Sequence, residues 1–146
     1  MMLLRHATLL DIPQMHVIRM AVKENILSDP TLITPQDYAE YLEDRGAGWV
    51  VEIEHQIVGF AIVDFQENNV WALFVHPNFE KRGVGRRLHD QLIAAYFAKT
   101  KQTLWLGTEP NSRAESFYRK AGWKNVGKHG SNEIKFEFYA PVDIRT

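Results

Sequence analysis

The sequence predicts an α+β fold, a mixed and mostly antiparallel sheet of about seven strands flanked by about four helices. Three observations predict it. Two segments of helical period come first, three β-rich runs with short polar turns follow, and a glycine-bearing turn then opens an amphipathic segment that leads into an apolar strand. With 146 residues and 45% hydrophobic composition, the chain can bury a sizeable core. Residues 1–146 read as a single domain without linkers, repeats or low-complexity segments.

The elements follow in order. Residues 2–7 read as a short first strand. Asp11 stands where it can cap the next helix, with Pro13 in the first turn and Gln14 at the capping-box position; Ile12, Met15, Ile18 and Val22 then recur at helical spacing. The stretch SDPTLITPQDY, from Ser28, breaks that helix, and Thr34 with Pro35 restarts another that ends by Gly46. From Trp49 the runs WVVEIE, IVGFAIVDF and VWALFV, joined by turns at HQ and QENN, predict an antiparallel meander. Residues 84–99 return to helical period, with Leu88, Leu92, Ala95 and Tyr96 along one face, and TLWLGT is a buried-type strand after it. A short helix from Ser112 to Ala121, closed by Gly122, and strands near 123–126 and 133–139 complete the order.

A formal net charge of -1 gives no global bias toward nucleic acid or an anionic membrane, so neither is expected as a partner. The absence of cysteine excludes disulfides, thiolate metal sites and a cysteine nucleophile, and suits a reducing compartment. No apolar run is long enough to span a bilayer, and the charged start MMLLRHATLLD does not read as a secretory signal, so the expected location is the cytoplasm. The six histidines show no zinc-ligand spacing, and no metal is expected.

One local feature breaks this balance. The stretch VHPNFEKRGVGRRL, residues 75–88, sets Gly83 and Gly85 among Lys81, Arg82, Arg86 and Arg87 just before the third predicted helix. The first N–H groups of a helix have no intrahelical partner and favour an anion, and glycine lets a phosphate approach them closely. Basic side chains at the rim can add charge-assisted hydrogen bonds. Taken alone, the same residues also suit a plain basic turn. Leu88 stands where a dinucleotide fingerprint needs its third glycine, and no Gly-Lys-Ser/Thr follows, so Rossmann and P-loop readings fail.

A second cluster, NSRAESFYRKAGW at residues 111–123, supplies an Asn at a helix start, a tyrosine two turns in, and a glycine cap followed by an aromatic. With both clusters in hand, the sequence resembles the GNAT superfamily of N-acetyltransferases. EKRGVG matches the family's pyrophosphate signature, Gln/Arg-x-x-Gly-x-Gly/Ala, at Gly83 and Gly85, with Glu80 departing from it at the first position. Asn111-x-x-Ala114-x-x-Phe117-Tyr118-x-x-x-Gly122-Trp123 matches its second motif, and LFVHP looks like the strand leading into the loop. The likeness covers roughly residues 49–139.

The resemblance implies acetyl-CoA, or another acyl-CoA, as donor to a small-molecule or peptide amine, by direct attack in a ternary complex formed by a monomer or homodimer. The diphosphate would rest on the amides of Lys81, Arg82, Gly83, Val84, Gly85 and Arg86, and the pantetheine arm along ALFV, held by backbone groups near Phe74 and Val75. Tyr118 is the implied proton donor to the leaving sulfur; a phenol of pKa about 10 holds its proton where a thiol of about 8.5 begins to lose one. Asn111 would either satisfy backbone groups where strands part or contact the cofactor. The family's usual basic glutamate is matched by Asn69, which leaves Glu67, Glu109, Glu24, His76 or a water chain as substitutes. That departure also supports an alternative, a catalytically weak or inactive acyl-CoA-binding sensor or interaction module.

Overall fold

The architecture of the chain, described for residues 1–24 and 31–142 by a computed structural model, is a seven-stranded sheet with helices on both faces. The strands β1 (Met2–His6), β2 (Gly46–Ile53), β3 (Gln56–Asp64) and β4 (Asn69–Val75) form an antiparallel meander. Strand β5 (Leu104–Thr108) lies parallel beside β4, and β7 (Glu133–Phe138) inserts between β5 and β6 (Lys124–His129), giving the order β1-β2-β3-β4-β5-β7-β6. The mixed, mostly antiparallel sheet is the one the sequence predicts.

Alternation along the strands sends side chains to two cores. On one face Met15 and Ile18 of α1 (Ile12–Ala21) and Tyr38 of α2 (Pro35–Glu40) pack on Val50, Phe60, Ile62 and Ala72. On the other, Val84, Leu88, Leu92 and Tyr96 of α3 (Val84–Lys99) and Tyr118 of α4 (Arg113–Lys120) pack on Val51, Val58, Ala61, Leu106 and Phe136. None of the described helices is long and apolar enough to cross a membrane.

Several local starts differ from the sequence reading. Asp11 does not cap α1 with its side chain; its carboxylate accepts from the Thr8 amide at 2.7 Å and pairs with Arg5 at 2.8 Å, so a 3-10 turn over Leu9–Asp11 precedes the helix. Thr34 caps α2 with Asp37 as its reciprocal partner, and Pro35 holds the first position, as the spacing implies. That helix then widens into a π-turn over Tyr41–Arg45 before β2 begins at Gly46. Ser112, rather than Asn111, caps α4, accepting from the Glu115 amide at 3.1 Å. The predicted helix break from Ser28 falls partly outside the described residues.

The sheet carries one marked irregularity in β4. Opposite β3, residue Ile62 pairs with Ala72 but Val63 pairs with Val70, so Trp71 is an extra residue bulged out of β4. Its indole is held by stacking on Tyr41, 4.1 Å between centroids, and by the edge of Tyr38 at 5.5 Å. A bulge bends its strand, and β4 leaves β5 directly after a single bridge between Asn69 and Trp105. The Asn69 amide donates to the Trp105 carbonyl at 3.3 Å, and the Trp105 indole N–H donates to the Glu67 carbonyl at 2.9 Å, pinning the closed end. Beyond it the two strands diverge as a fork.

Candidate functional site

The open end of the fork meets the start of α3, because the loop after β4 runs straight into that helix. Gly83 is its N-cap in the left-handed conformation, φ 84°, a backbone that other residues adopt only at a cost. A Cβ placed on Gly83 would meet no atom within 4 Å, so the space a ligand would enter is open. No side chain caps the helix, and the first backbone bond runs from the Arg87 amide to the Gly83 carbonyl at 3.0 Å. The amides of Val84, Gly85 and Arg86 therefore point outward without helical partners, an arrangement that favours an anion.

The basic side chains around this seat are largely committed elsewhere. The Arg86 guanidinium turns back along α3 to Asp90 at 3.1 Å, and that of Arg82 lies 5.1 Å from the Phe79 ring. Lys81 is exposed, with φ 63°. Glu80, the departure from the family signature, forms an ion pair with Arg113 in the first turn of α4. The carboxylate is thereby neutralised locally and tied away from the amides. A groove of about 600 Å³ lined by Met2, Leu4, Gly83, Arg86, Arg87, Asp90 and Gln91 flanks the seat on the β1 side, away from the fork.

Along the fork, Phe74 and Val75 form the end of β4 that faces the gap, half-buried. Arg19 of α1 packs its guanidinium 4.5 Å from the Phe74 ring, and its Nη1 is buried without a hydrogen bond. Tyr118 sits on the opposite face of the sheet, its ring edge-on to Phe117 at 5.3 Å and Trp123 at 5.5 Å, and 6.3 Å from Phe136. Because Phe136 pairs with Leu106, this places Tyr118 over the β5 arm of the fork. Burial pushes its phenol pKa above the usual value. Among the described residues its hydroxyl has no hydrogen-bond partner. Asn111, exposed and left-handed at φ 61°, donates its amide to Glu115 at 2.8 Å.

The carboxylates and histidine considered as bases are mostly occupied. Glu24 accepts from the Arg113 amide at 2.9 and 3.0 Å, reinforcing the α4 terminus. His76 accepts from the Asn78 amide at 3.1 Å, and Asn69 holds the closed end of the fork. Glu109 has partners of its own, and Glu67 is an exposed turn residue. One carboxylate outside the sequence-based candidates, Glu133 of β7, lies over β5 beside Gly107. A Cβ on Gly107 would come within 2.6 Å of its Oε1. Only the lone glycine in an apolar strand hinted at it. Among the described residues no three His, Cys, Asp or Glu side chains gather as metal ligands.

With this geometry in view, the comparisons are specific. Residues 44–125 match the family described as the acetyltransferase (GNAT) domain. The chain is 32% identical over 74 residues to the [ribosomal protein bS18]-alanine N-acetyltransferase of Haemophilus influenzae, covering 49% of this chain and 51% of that enzyme. It thus spans about half the length of that relative. The crystal structure of ribosomal-protein-alanine N-acetyltransferase from Brucella melitensis superposes with TM-score 0.75 and 26% identity, over 94% of this chain and 99% of that one. The PaiA N-acetyltransferase of Thermoplasma acidophilum, solved in complex with coenzyme A, shares the fold at TM-score 0.81 and 13% identity, over 95% and 99% of the two chains.

Proposed function

The chain belongs to the GNAT acetyltransferase family, and from that premise we propose that it transfers an acetyl group from acetyl-CoA to a primary amine by direct attack within a ternary complex. The observation that carries the reading is the β4–β5 fork with unpartnered helix amides at its mouth. An open sheet edge leaves backbone donors and acceptors unsatisfied, and an extended amide-bearing arm laid along Phe74 and Val75 would pair with them. The amides of Val84, Gly85 and Arg86 then take the diphosphate, with Lys81, Arg82 and Gly83 shaping the turn and Asn111 at its far wall.

Acetyl-CoA supplies the activated acyl group, and the protein supplies position and proton control. Backbone N–H groups of the open β4 edge can polarise the acyl carbonyl where negative charge develops. Tyr118 holds a proton raised out of reach of ordinary titration and can give it to the departing sulfur. With no cysteine in the sequence, no thiol relay through the protein is available, which supports direct attack. Names of two relatives direct attention to a peptide N-terminal alanine as acceptor.

Purified protein mixed with acetyl-CoA and four amines, an alanine-terminated hexapeptide, spermidine, kanamycin and Nα-blocked lysine, should release free thiol with at least one. The absence of both thermal stabilisation by acetyl-CoA and turnover would sink this reading. Stabilisation without product across all four favours the second reading, an acyl-CoA-binding sensor, for which Asn69 is the motive: its amide is spent on the strand bridge and offers no carboxylate.

A further inference from the structure

We propose that Glu133 is the base of this reaction, taking the proton of the acceptor amine from a seat that Gly107 leaves open beside the fork. The inference rests on the acetyl-transfer reading. In β5 the side chains of Leu104, Leu106 and Thr108 are buried on the α3 and α4 side, so Trp105 and Gly107 face the side of α1 and α2. Gly107 lies two residues past the Asn69–Trp105 bridge, in the part of β5 that no longer touches β4. Any side chain there would stand on the α1 and α2 side of the sheet.

The place is filled from the neighbouring strand. Oε1 of Glu133 stands 2.6 Å, and Cδ2 of His129 2.9 Å, from the point a Cβ of Gly107 would occupy. The direct pairing partner of Gly107 is Lys135, not Glu133, so the carboxylate reaches back diagonally across the strands. Lys135 clears the way by laying its ammonium 5.1 Å from the Trp105 ring centre. The His129 ring also packs on Trp105, at 4.9 Å. Glu133 is half-buried, and among the described residues it has neither ion pair nor hydrogen bond for its carboxylate. The charged or titratable groups on this face around it are His129 from β6 and Lys135 and Glu137 from β7; β5 contributes only Trp105 and Gly107.

The step balances in atoms and protons. The amine lone pair forms the new C–N bond to the acyl carbon, Glu133 accepts the proton that this nitrogen must lose, and Tyr118 gives a proton to sulfur as the C–S bond breaks. Solvent then restores both side chains.

The test uses the four amines above. Glu133→Gln should lower kcat/KM about a hundredfold or more while acetyl-CoA stabilises the variant as it does the wild type. The double variant Gly107→Glu with Glu133→Ala should regain activity, because the carboxylate returns to the same seat from β5. In protein labelled with 13C-glutamate, the Glu133 carboxyl resonance should move when the alanine-terminated peptide is added. Glu133→Gln that binds acetyl-CoA and keeps wild-type kcat/KM overturns the proposal. So does a rise in amine KM alone with kcat intact, which would make Glu133 only an attractor for the cation. Wild-type protein that binds acetyl-CoA yet acetylates none of the amines also removes the role, whereas failure to bind acetyl-CoA sinks the acetyl-transfer reading itself.

Discussion

Tyr118 and His89 show two uses of buried polar side chains within one aromatic cluster. Tyr118→Phe removes only an oxygen, so packing survives; kcat should fall about a hundredfold while acetyl-CoA affinity stays nearly constant in a binding titration. Lost affinity with unchanged kcat would make the hydroxyl a cofactor contact instead. His89 is structural: the Trp123 indole can only donate, at 2.9 Å to Nε2, so the ring proton sits on Nδ1 toward Asp90 at 3.0 Å. Burial holds the His89 pKa below its ordinary 6.5. The unfolded chain therefore takes up a proton that the folded one refuses, and the stability involved is present above that pH and lost as pH falls through the folded value. Thermal melts should show Tm dropping from pH 7 to pH 5 in the wild type and dropping less in His89→Gln. Tyr118, Gly83 and Gly85 were legible in the sequence because each belongs to a short motif whose spacing is local. Glu133 was not, since its meaning depends on a glycine in another strand and on a register no local pattern reveals.

Elements meet at Arg113. Its guanidinium pairs with Glu80 of the turn before α3, and its amide donates to Glu24 beyond the end of α1, so the first turn of α4 gathers the loop and the chain after the first helix around one residue. The pair is half-exposed and adds under about 1 kcal/mol to stability, but it decides where the Glu80 charge goes. Arg113→Ala should release that carboxylate beside the amide seat and weaken acetyl-CoA about fivefold, and adding Glu80→Gln should recover the loss in the same calorimetric titration. Equal affinities in all three proteins would show that Glu80 faces solvent with or without its partner. Helix α3 was readable residue for residue from periodicity and its glycine start. Asp11 holds the N-cap position of α1 as read, but its carboxylate makes no cap bond there because it is drawn back to the Thr8 amide and to Arg5 by the 3-10 turn before the helix.

At the scale of the whole molecule, strand number and crossovers were visible in the hydrophobic pattern, and the fork was not. It lies beside the bulge at Trp71, whose ring is packed by Tyr38 and Tyr41 from elements distant in sequence. If the fork receives the acyl donor, backbone amides in residues 71–75 and 106–108 should exchange hydrogen more slowly with acetyl-CoA present, alongside a stabilisation of about 2.7 kcal/mol at a hundredfold excess over Kd. Stabilisation without slowed exchange there would place the donor elsewhere. The single Asn69–Trp105 rung also sets how the protein comes apart. The meander β1–β4 and the three strands β5, β7 and β6 each carry full pairing within themselves, while almost nothing in the sheet joins them. The shared core under α3 and α4 is what holds the two halves together, and with the seam bridged by the donor they should unfold in a steeper denaturant transition than without it.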